Sequence, residues 1–259
     1  MRYVRCHVDG HDFWGVLRRD NDVTRLTAAP WLPESQPLSE RHLVSEVYLL
    51  APVEPSKILA VGRNYADHAS EMGGHVAEQP RIFFKPPSSV IGPGQPIVLP
   101  PASISREVHY EAELAVVIGS RCRNVASAHA ESVIFGYTCA NDVTARDIQR
   151  RDGLPDYAKS FDTFCPLGPW LDTALDRATA RVRCLVNGVV AQDGRVDDML
   201  TPLPALISHI SRAMTLLPGD VILTGTPAGV GPIVHGDDVT VEISGIGALA
   251  SPVVGHQVE

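Results

Sequence analysis

Two glutamates, Glu111 and Glu113, stand two apart near the start of the apolar run HYEAELAVVIG. Side chains two apart on a β-strand point to the same face. Ala115 and Val117 continue that face, while Tyr110, Ala112, Leu114 and Val116 make the other, so both faces read as covered and both carboxylates as interior. Buried carboxylates are costly unless paired or bound to a metal. A third acid, Asp142, closes the apolar run FGYTCAN just before a helical stretch. Three carboxylates without sulfur or imidazole suit a hard divalent cation such as Mg²⁺, Mn²⁺ or Ca²⁺. The other reading pairs the glutamates with arginines and leaves Asp142 as a helix cap.

A second group lies in ILAVGRNYADHASEMG, where His68 and Glu71 are three apart. A helical turn over 66–72 puts them on one face. The carboxylate can then orient the imidazole and raise its basicity, which makes a general base; an exposed surface pair is the alternative. Lys159, among aromatic and small residues in YAKSFDTFCPLGPW, could offset charge building on a substrate oxygen, or be a solvated loop lysine. GDVILTGTPAGVG runs a strand into a glycine-rich loop. Its backbone N–H groups around Gly225 and the Thr226 hydroxyl could hold a carboxylate, or the loop could be a plain tight turn. It lacks the Gly-Lys-Ser/Thr ending of a phosphate-binding loop.

The elements that must position these groups are mostly short strands. The pattern predicts them at 58–61, 81–85, 97–99, 110–118, 135–141, 181–186, 189–192, 221–224, 239–243 and 248–253, with Asn187–Gly188 as a two-residue hairpin turn. Three more fall near the N-terminus, at 3–8, 13–18 and 22–26, ahead of a polar, proline-containing stretch. A soft boundary near residue 52 divides a small N-terminal β-domain, 1–52, from a main body, 53–259. Helices are few: 127–133, 145–151 and 202–214. The last takes Thr201 as N-cap and Pro202 at its first position, with Leu203, Leu206, Ile207, Ile210 and Met214 on one stripe. This is a β-rich α+β pattern, not the strand–helix alternation of a doubly wound sheet.

The chain of 259 residues is 44% hydrophobic and 20% charged, an ordinary globular composition. A formal net charge of −8 argues against nucleic acid or an anionic membrane surface as partner. No apolar run reaches the roughly 20 residues of a membrane span, and charges occupy the N-terminal stretch where a signal peptide needs an apolar core. The five scattered cysteines form no C-x-x-C pair and read as inert buried thiols. A reduced, cytoplasmic setting is therefore expected.

Seven segments in order resemble the fumarylacetoacetate hydrolase family: ILAVGRNYADHASE, FFKPPSSVIGPG, HYEAELAVVIG, GYTCANDVTARDIQ, KSFDTFCPLGPW, PGDVILTGTPAGVG and GDDVTVEISGIGAL. They cover essentially residues 55–250. The resemblance implies a mixed β-roll catalytic domain behind a small N-terminal β-domain, assembled as a homodimer. It implies Mg²⁺ or Mn²⁺ held by Glu111, Glu113 and Asp142, and a water-activating dyad of His68 and Glu71 on a segment, 66–79, that orders over bound substrate. It makes Lys159 the active-site lysine and puts Arg146, Gln149 and Thr226 in contact with substrate.

The substrates so implied are short 2-oxo acids. A cation that chelates them acts as a Lewis acid for the enolate left when a C–C bond breaks. The first expectation is hydrolysis of an acylpyruvate-like 2,4-dioxo acid, with His68 and Glu71 activating water and Lys159 stabilising the oxyanion. The alternative is isomerisation or decarboxylation of a 2-hydroxyhepta-2,4-diene-1,7-dioate type, or decarboxylation of oxaloacetate. A non-catalytic binder would have no need of a base.

Overall fold

The computed structural model describes residues 1–18, 21–73 and 78–256. Among these the chain forms sheets of twelve, five and three strands. The strand Ala112–Ile118 lies inside the largest, between Ile134–Asn141 and Val221–Leu223, and all seven of its residues are buried. Ala115 and Val117 pack into one apolar cluster, and Ala112, Leu114, Val116 and Ile118 into another. Burial of Leu114, Val116, Val117 and Ile118 stabilises this strand by about 6–12 kcal/mol. That is enough to keep it central although the glutamates at its start carry a desolvation penalty of several kcal/mol each.

The second cluster fills the space between this sheet and the five-stranded one, where Val182, Cys184, Val239 and Val241 face it. Helix α3 (Leu203–Ala213) closes the layer with Leu203, Leu206, Ile207 and Ile210. The architecture is β-rich α+β, as the pattern predicts, and β-strand Val221–Leu223 runs parallel to Ile58–Gly62 in an otherwise mainly antiparallel sheet.

Several boundaries differ from expectation, each for a visible reason. The 110–118 run is two strands, Val108–Tyr110 and Ala112–Ile118, broken at Glu111. There the backbone leaves the ladder: the Glu111 N–H donates to Asn141 Oδ1 at 2.9 Å and the Glu111 carbonyl accepts the Asp142 N–H at 2.8 Å. The stretch 127–133 is a 3₁₀ helix. At α3 the cap position is Pro202 rather than Thr201, because the Thr201 backbone is bound on both sides by the Asn64 amide.

Of the strands not expected from the sequence, two are long. Pro37–Leu43 lies in the polar stretch expected to be loop. Cys165–Asp172 contains Pro166 and Pro169, yet it sits inside the main sheet between Ile134–Asn141 and Arg2–Val8. Proline cannot donate to a ladder, and the register shifts between Tyr137 and Cys139, opposite Pro169, which absorbs the missing N–H. Through this strand the N-terminal strands join the same sheet as the main body. Cys6, Cys139, Cys165 and Cys184 are buried and Cys122 is half-buried; none is paired. Among the described residues no helix is long and apolar enough to cross a membrane.

Candidate active site

Glu111, Glu113 and Asp142 converge. One oxygen from each lies within 4.8 Å of the others, and all three residues are at most 5% exposed. The strand break at Glu111 and the end of Ile134–Asn141 bring them together, tied by the Asp142 N–H bond to the Glu111 carbonyl.

Their surroundings are strongly cationic. The Arg146 guanidinium pairs with Glu111 Oε1. Lys159 Nζ donates to Glu111 Oε2 at 2.8 Å and to Asp142 Oδ2 at 2.6 Å. Lys85, also buried, lies 2.8 Å from Asp142 Oδ1 but not at a hydrogen-bonding angle; its donors go to the Val143 and Lys159 carbonyls at 3.3 and 2.6 Å. Asp142 Oδ1 is left without a hydrogen bond. Glu113 has no cationic partner among the described residues and accepts only the Gly225 N–H, at 2.6 Å.

The electrostatics split the two glutamates. Burial, then Asp142 and Glu111, push the Glu113 carboxyl well above the ordinary range. Burial opposes ionisation of Glu111 too, but Lys159 and Arg146 outweigh it and hold that carboxyl below the ordinary range. Burial likewise works against the charge on Lys159, yet Asp142 and Glu111 raise its pKa. Lys159 is therefore a fixed cation and not a base. The arginine reading is thus realised in part: Glu111 does pair with an arginine, whereas Asp142 caps no helix, since α2 (Arg146–Asp152) starts from Ala145. An all-oxygen donor set of three converging buried carboxylates, with Glu113 lacking a cationic partner among the described residues, fits a hard divalent cation.

His68 and Glu71 lie on helix α1 (Ala66–Glu71), and His68 is buried rather than surface-facing. Its Nδ1 is 3.1 Å from Glu71 Oε2. Glu71 Oε1 accepts the Gly229 N–H at 3.0 Å, so both carboxylate oxygens are held. The expected ordering segment 66–79 begins with this helix; its positions 74–77 lie outside the described residues.

Gly225 and Thr226 follow Val221–Leu223. Gly225 has φ +102°, and a Cβ there would stand 2.7 Å from the Asn64 Cβ, so both conformation and space require glycine. Its N–H is spent on Glu113, and it does not itself line the cavity. Thr226 is oriented by Gln192. The Gln192 Oε1 accepts the Ala112 N–H at 2.9 Å, so its amide nitrogen must face Thr226 Oγ1 at 2.8 Å and the Pro227 carbonyl at 2.7 Å. The Thr226 oxygen accepts, which leaves its hydrogen free to donate. Gln149 Oε1 accepts from Arg146 Nη1.

One cavity of about 640 Å³ is lined by His68, Glu71, Glu111, Glu113, Asp142, Arg146, Gln149, Lys159 and Thr226 together. Sequence reasoning missed Lys85 and Gln192. Lys85 carried a signal, because Phe83 and Lys85 alternate onto the buried face of Arg81–Lys85. Gln192 carried none.

Residues 57–254 match the Fumarylacetoacetate (FAA) hydrolase C-terminal family, and residues 1–52 match Rv2993c-like, N-terminal. The chain belongs to the fumarylacetoacetate hydrolase family. It is 44% identical over 223 residues, 81% of this chain and 70% of the relative, to the human mitochondrial oxaloacetate tautomerase FAHD2A. It is 43% identical to 5-carboxymethyl-2-hydroxymuconate delta-isomerase from Mycobacterium smegmatis, with a TM-score of 0.92 over 99% of this chain and 100% of that one. Maleylpyruvate hydrolase from Sphingobium sp. SYK-6, solved in complex with manganese (II) ion and pyruvate, is 34% identical with a TM-score of 0.82 over the same shares. Relatives of this enzyme family thus carry tautomerase, isomerase and hydrolase names.

Proposed function

We propose that this chain is a divalent-cation-dependent enzyme that enolises a short 2-oxo acid, in the manner of a tautomerase or isomerase. The observation that carries this reading is the buried His68, held through Nδ1 by Glu71 on the cavity that presents Glu111, Glu113 and Asp142. Those three carboxylates would hold Mg²⁺ or Mn²⁺. When bound, such a cation supplies a Lewis acid that draws charge from the 2-oxo and carboxylate oxygens.

The chain's own groups do the rest. Glu71, fixed by the Gly229 N–H, keeps His68 Nε2 as the free basic nitrogen. That nitrogen takes a proton from C3 of the substrate. The C3–H electron pair becomes the C2–C3 double bond, and the carbonyl π pair moves onto oxygen, which a returning proton converts to the enol. Thr226 donates its free hydroxyl hydrogen to the substrate carboxylate, and Lys159 keeps positive charge beside the developing oxyanion without giving up its proton. The more similar named relatives, a tautomerase and an isomerase, favour proton transfer as the whole reaction.

Hydrolysis of an acylpyruvate-like C–C bond is the second reading. It is favoured by the full clamp on Glu71, which suits His68 to water activation, and by the maleylpyruvate hydrolase relative. In it His68 takes a proton from water, whose oxygen attacks the distal carbonyl, and the cleaved bond's electron pair leaves as the enolate.

Both are tested on one preparation. Enol–keto interconversion of oxaloacetate and cleavage of a set of acylpyruvates are followed with Mn²⁺ and after chelation. The first reading expects cation-dependent tautomerisation that falls 10²- to 10⁴-fold in His68→Gln. Acylpyruvate cleavage without tautomerisation would replace it with the second. Full activity after chelation would sink both.

A further inference from the structure

His68 can act as a base only while Glu71 is held still, and one of the two groups that hold Glu71 is a glycine. Glu71 Oε1 accepts the Gly229 N–H at 3.0 Å, and Oε2 faces His68 Nδ1 at 3.1 Å. Glycine has the widest backbone freedom of any residue. Gly229 also lies in the irregular stretch between the strands Val221–Leu223 and Gly231–Ile233, where no ladder fixes it. An N–H on such a residue keeps its aim only if the peptides on both sides are fixed. Upstream, the Gln192 amide nitrogen donates to the Pro227 carbonyl at 2.7 Å. Downstream, the Tyr110 hydroxyl donates to the Gly229 carbonyl at 2.9 Å.

Tyr110 ends the strand Val108–Tyr110; it is 6% exposed and does not itself line the cavity. Its partner across the strands is Gly231. With no side chain at 231, the tyrosine passes over that position to reach the loop: a Cβ there would stand 2.8 Å from Tyr110 Oη and 3.4 Å from its Cζ. Gly231 lacks the positive φ of Gly225 and Gly229, so its backbone does not call for glycine; the passage of the hydroxyl does. The ring packs in the apolar cluster between the two larger sheets, a task phenylalanine would perform equally well. Among the described residues the hydroxyl donates only to the Gly229 carbonyl, so the oxygen serves the loop.

We propose that Tyr110 is a positioning residue for the dyad: its hydroxyl fixes the Gly229 peptide, which aims the Gly229 N–H at Glu71 and so sets the His68 ring. The inference rests on the reading of His68 as the base and adds what keeps its partner in place. Tyr110 touches no reacting atom. Without its hydroxyl the glycine is free to rotate, Glu71 loses one of its two anchors, and the imidazole loses its orientation while the three carboxylates stay as they are.

Tyr110→Phe, Gly231→Ala and the double variant test it in Mn²⁺-loaded protein. Exchange of the Gly229 amide, followed by NMR, should speed up about threefold to tenfold in each single variant. For oxaloacetate tautomerisation kcat should fall about tenfold to a hundredfold, with KM and the calorimetric Mn²⁺ affinity within about twofold of wild type. A tyrosine that merely packed would not separate kcat from KM and cation binding in this way. Gly231→Ala keeps the hydroxyl but blocks its path, so adding it to Tyr110→Phe should bring little further loss, a strong coupling in the double-mutant cycle. Unchanged Gly229 exchange in Tyr110→Phe overturns the proposal. So do losses that multiply in the double variant, or a fall in Mn²⁺ affinity as large as the fall in kcat. Faster Gly229 exchange in a protein whose wild type turns over no 2-oxo acid keeps the positioning link and sinks only the proposed reaction.

Discussion

Glu113 is the group at which a bound divalent cation would have to displace a proton. Its carboxyl is raised by burial and by its two acidic neighbours, so the folded protein without cation binds a proton there that the unfolded chain gives up. Stability without cation therefore falls as pH rises from the ordinary carboxylate value towards the raised one, and the cation must displace that proton. Mn²⁺ binding should release protons, read as a dependence of the calorimetric heat on buffer ionisation enthalpy, and its stabilising shift in Tm should grow with pH across this window. Glu113→Gln should lose both the proton release and the cation while staying folded, because it removes a like charge from the cluster; an unchanged heat in that variant would exclude Glu113 as a ligand. Gln192→Leu should leave the Ala112 N–H and Pro227 carbonyl unpaired and free the Thr226 hydroxyl to turn. A loss of about 1–3 kcal/mol in stability is expected from the unpaired groups, with KM rising more than kcat falls. An unaltered KM would mean that Thr226 does not donate to substrate.

Helix α1 is six residues long and has no side-chain cap. Its outer side reaches the glycine-rich loop through the chain His68–Glu71–Gly229, and a short uncapped helix belongs towards the low-stability end of a fold. We propose that it opens and closes over the cavity. Amide exchange with and without oxalate in Mn²⁺-loaded protein should show added protection within 66–73 on binding; equal protection in both states would remove the lid. The partner loop is built on two glycines that tolerate no side chain. Gly229 has φ +98°, and a Cβ there would stand 2.2 Å from the Ala191 carbonyl oxygen. Gly229→Ala should push the loop away from Glu71 and lower turnover at least tenfold through the dyad, with cation binding retained because Glu111, Glu113 and Asp142 lie elsewhere.

At the scale of the molecule, the twelve-stranded sheet runs from Pro37–Leu43 at one edge to Arg81–Lys85 at the other. The second edge carries Arg81, the exposed Phe84 and the buried Lys85, so it serves the cavity and solvent at once. Such an edge is a place for strand pairing or cover. We propose the homodimer expected from the family, with residues 1–52 peripheral to it. Sedimentation should give twice the chain mass at micromolar concentration, and a single-chain mass would exclude it.

Much of the site could be read without coordinates. Glu111, Glu113 and Asp142 and the His68–Glu71 spacing were legible because they are acids in or at the end of apolar runs, or a pair at a spacing that one element brings together, while Lys159 was set apart from a solvated loop lysine only by the family resemblance. The β-rich α+β class was legible from strand periodicity. What the chain alone did not determine depended on contacts between residues far apart in sequence. Only the fold decided that Lys159 and Arg146 would neutralise Glu111 and leave Glu113 unpaired, since that follows from which side chains share a cavity. Only the fold brought Gln192 to Thr226, 34 residues away along the chain, or placed the Pro-containing Cys165–Asp172 inside a sheet against its local propensity. Local pattern sets which groups must leave water; the geometry of packing sets which charges they meet there.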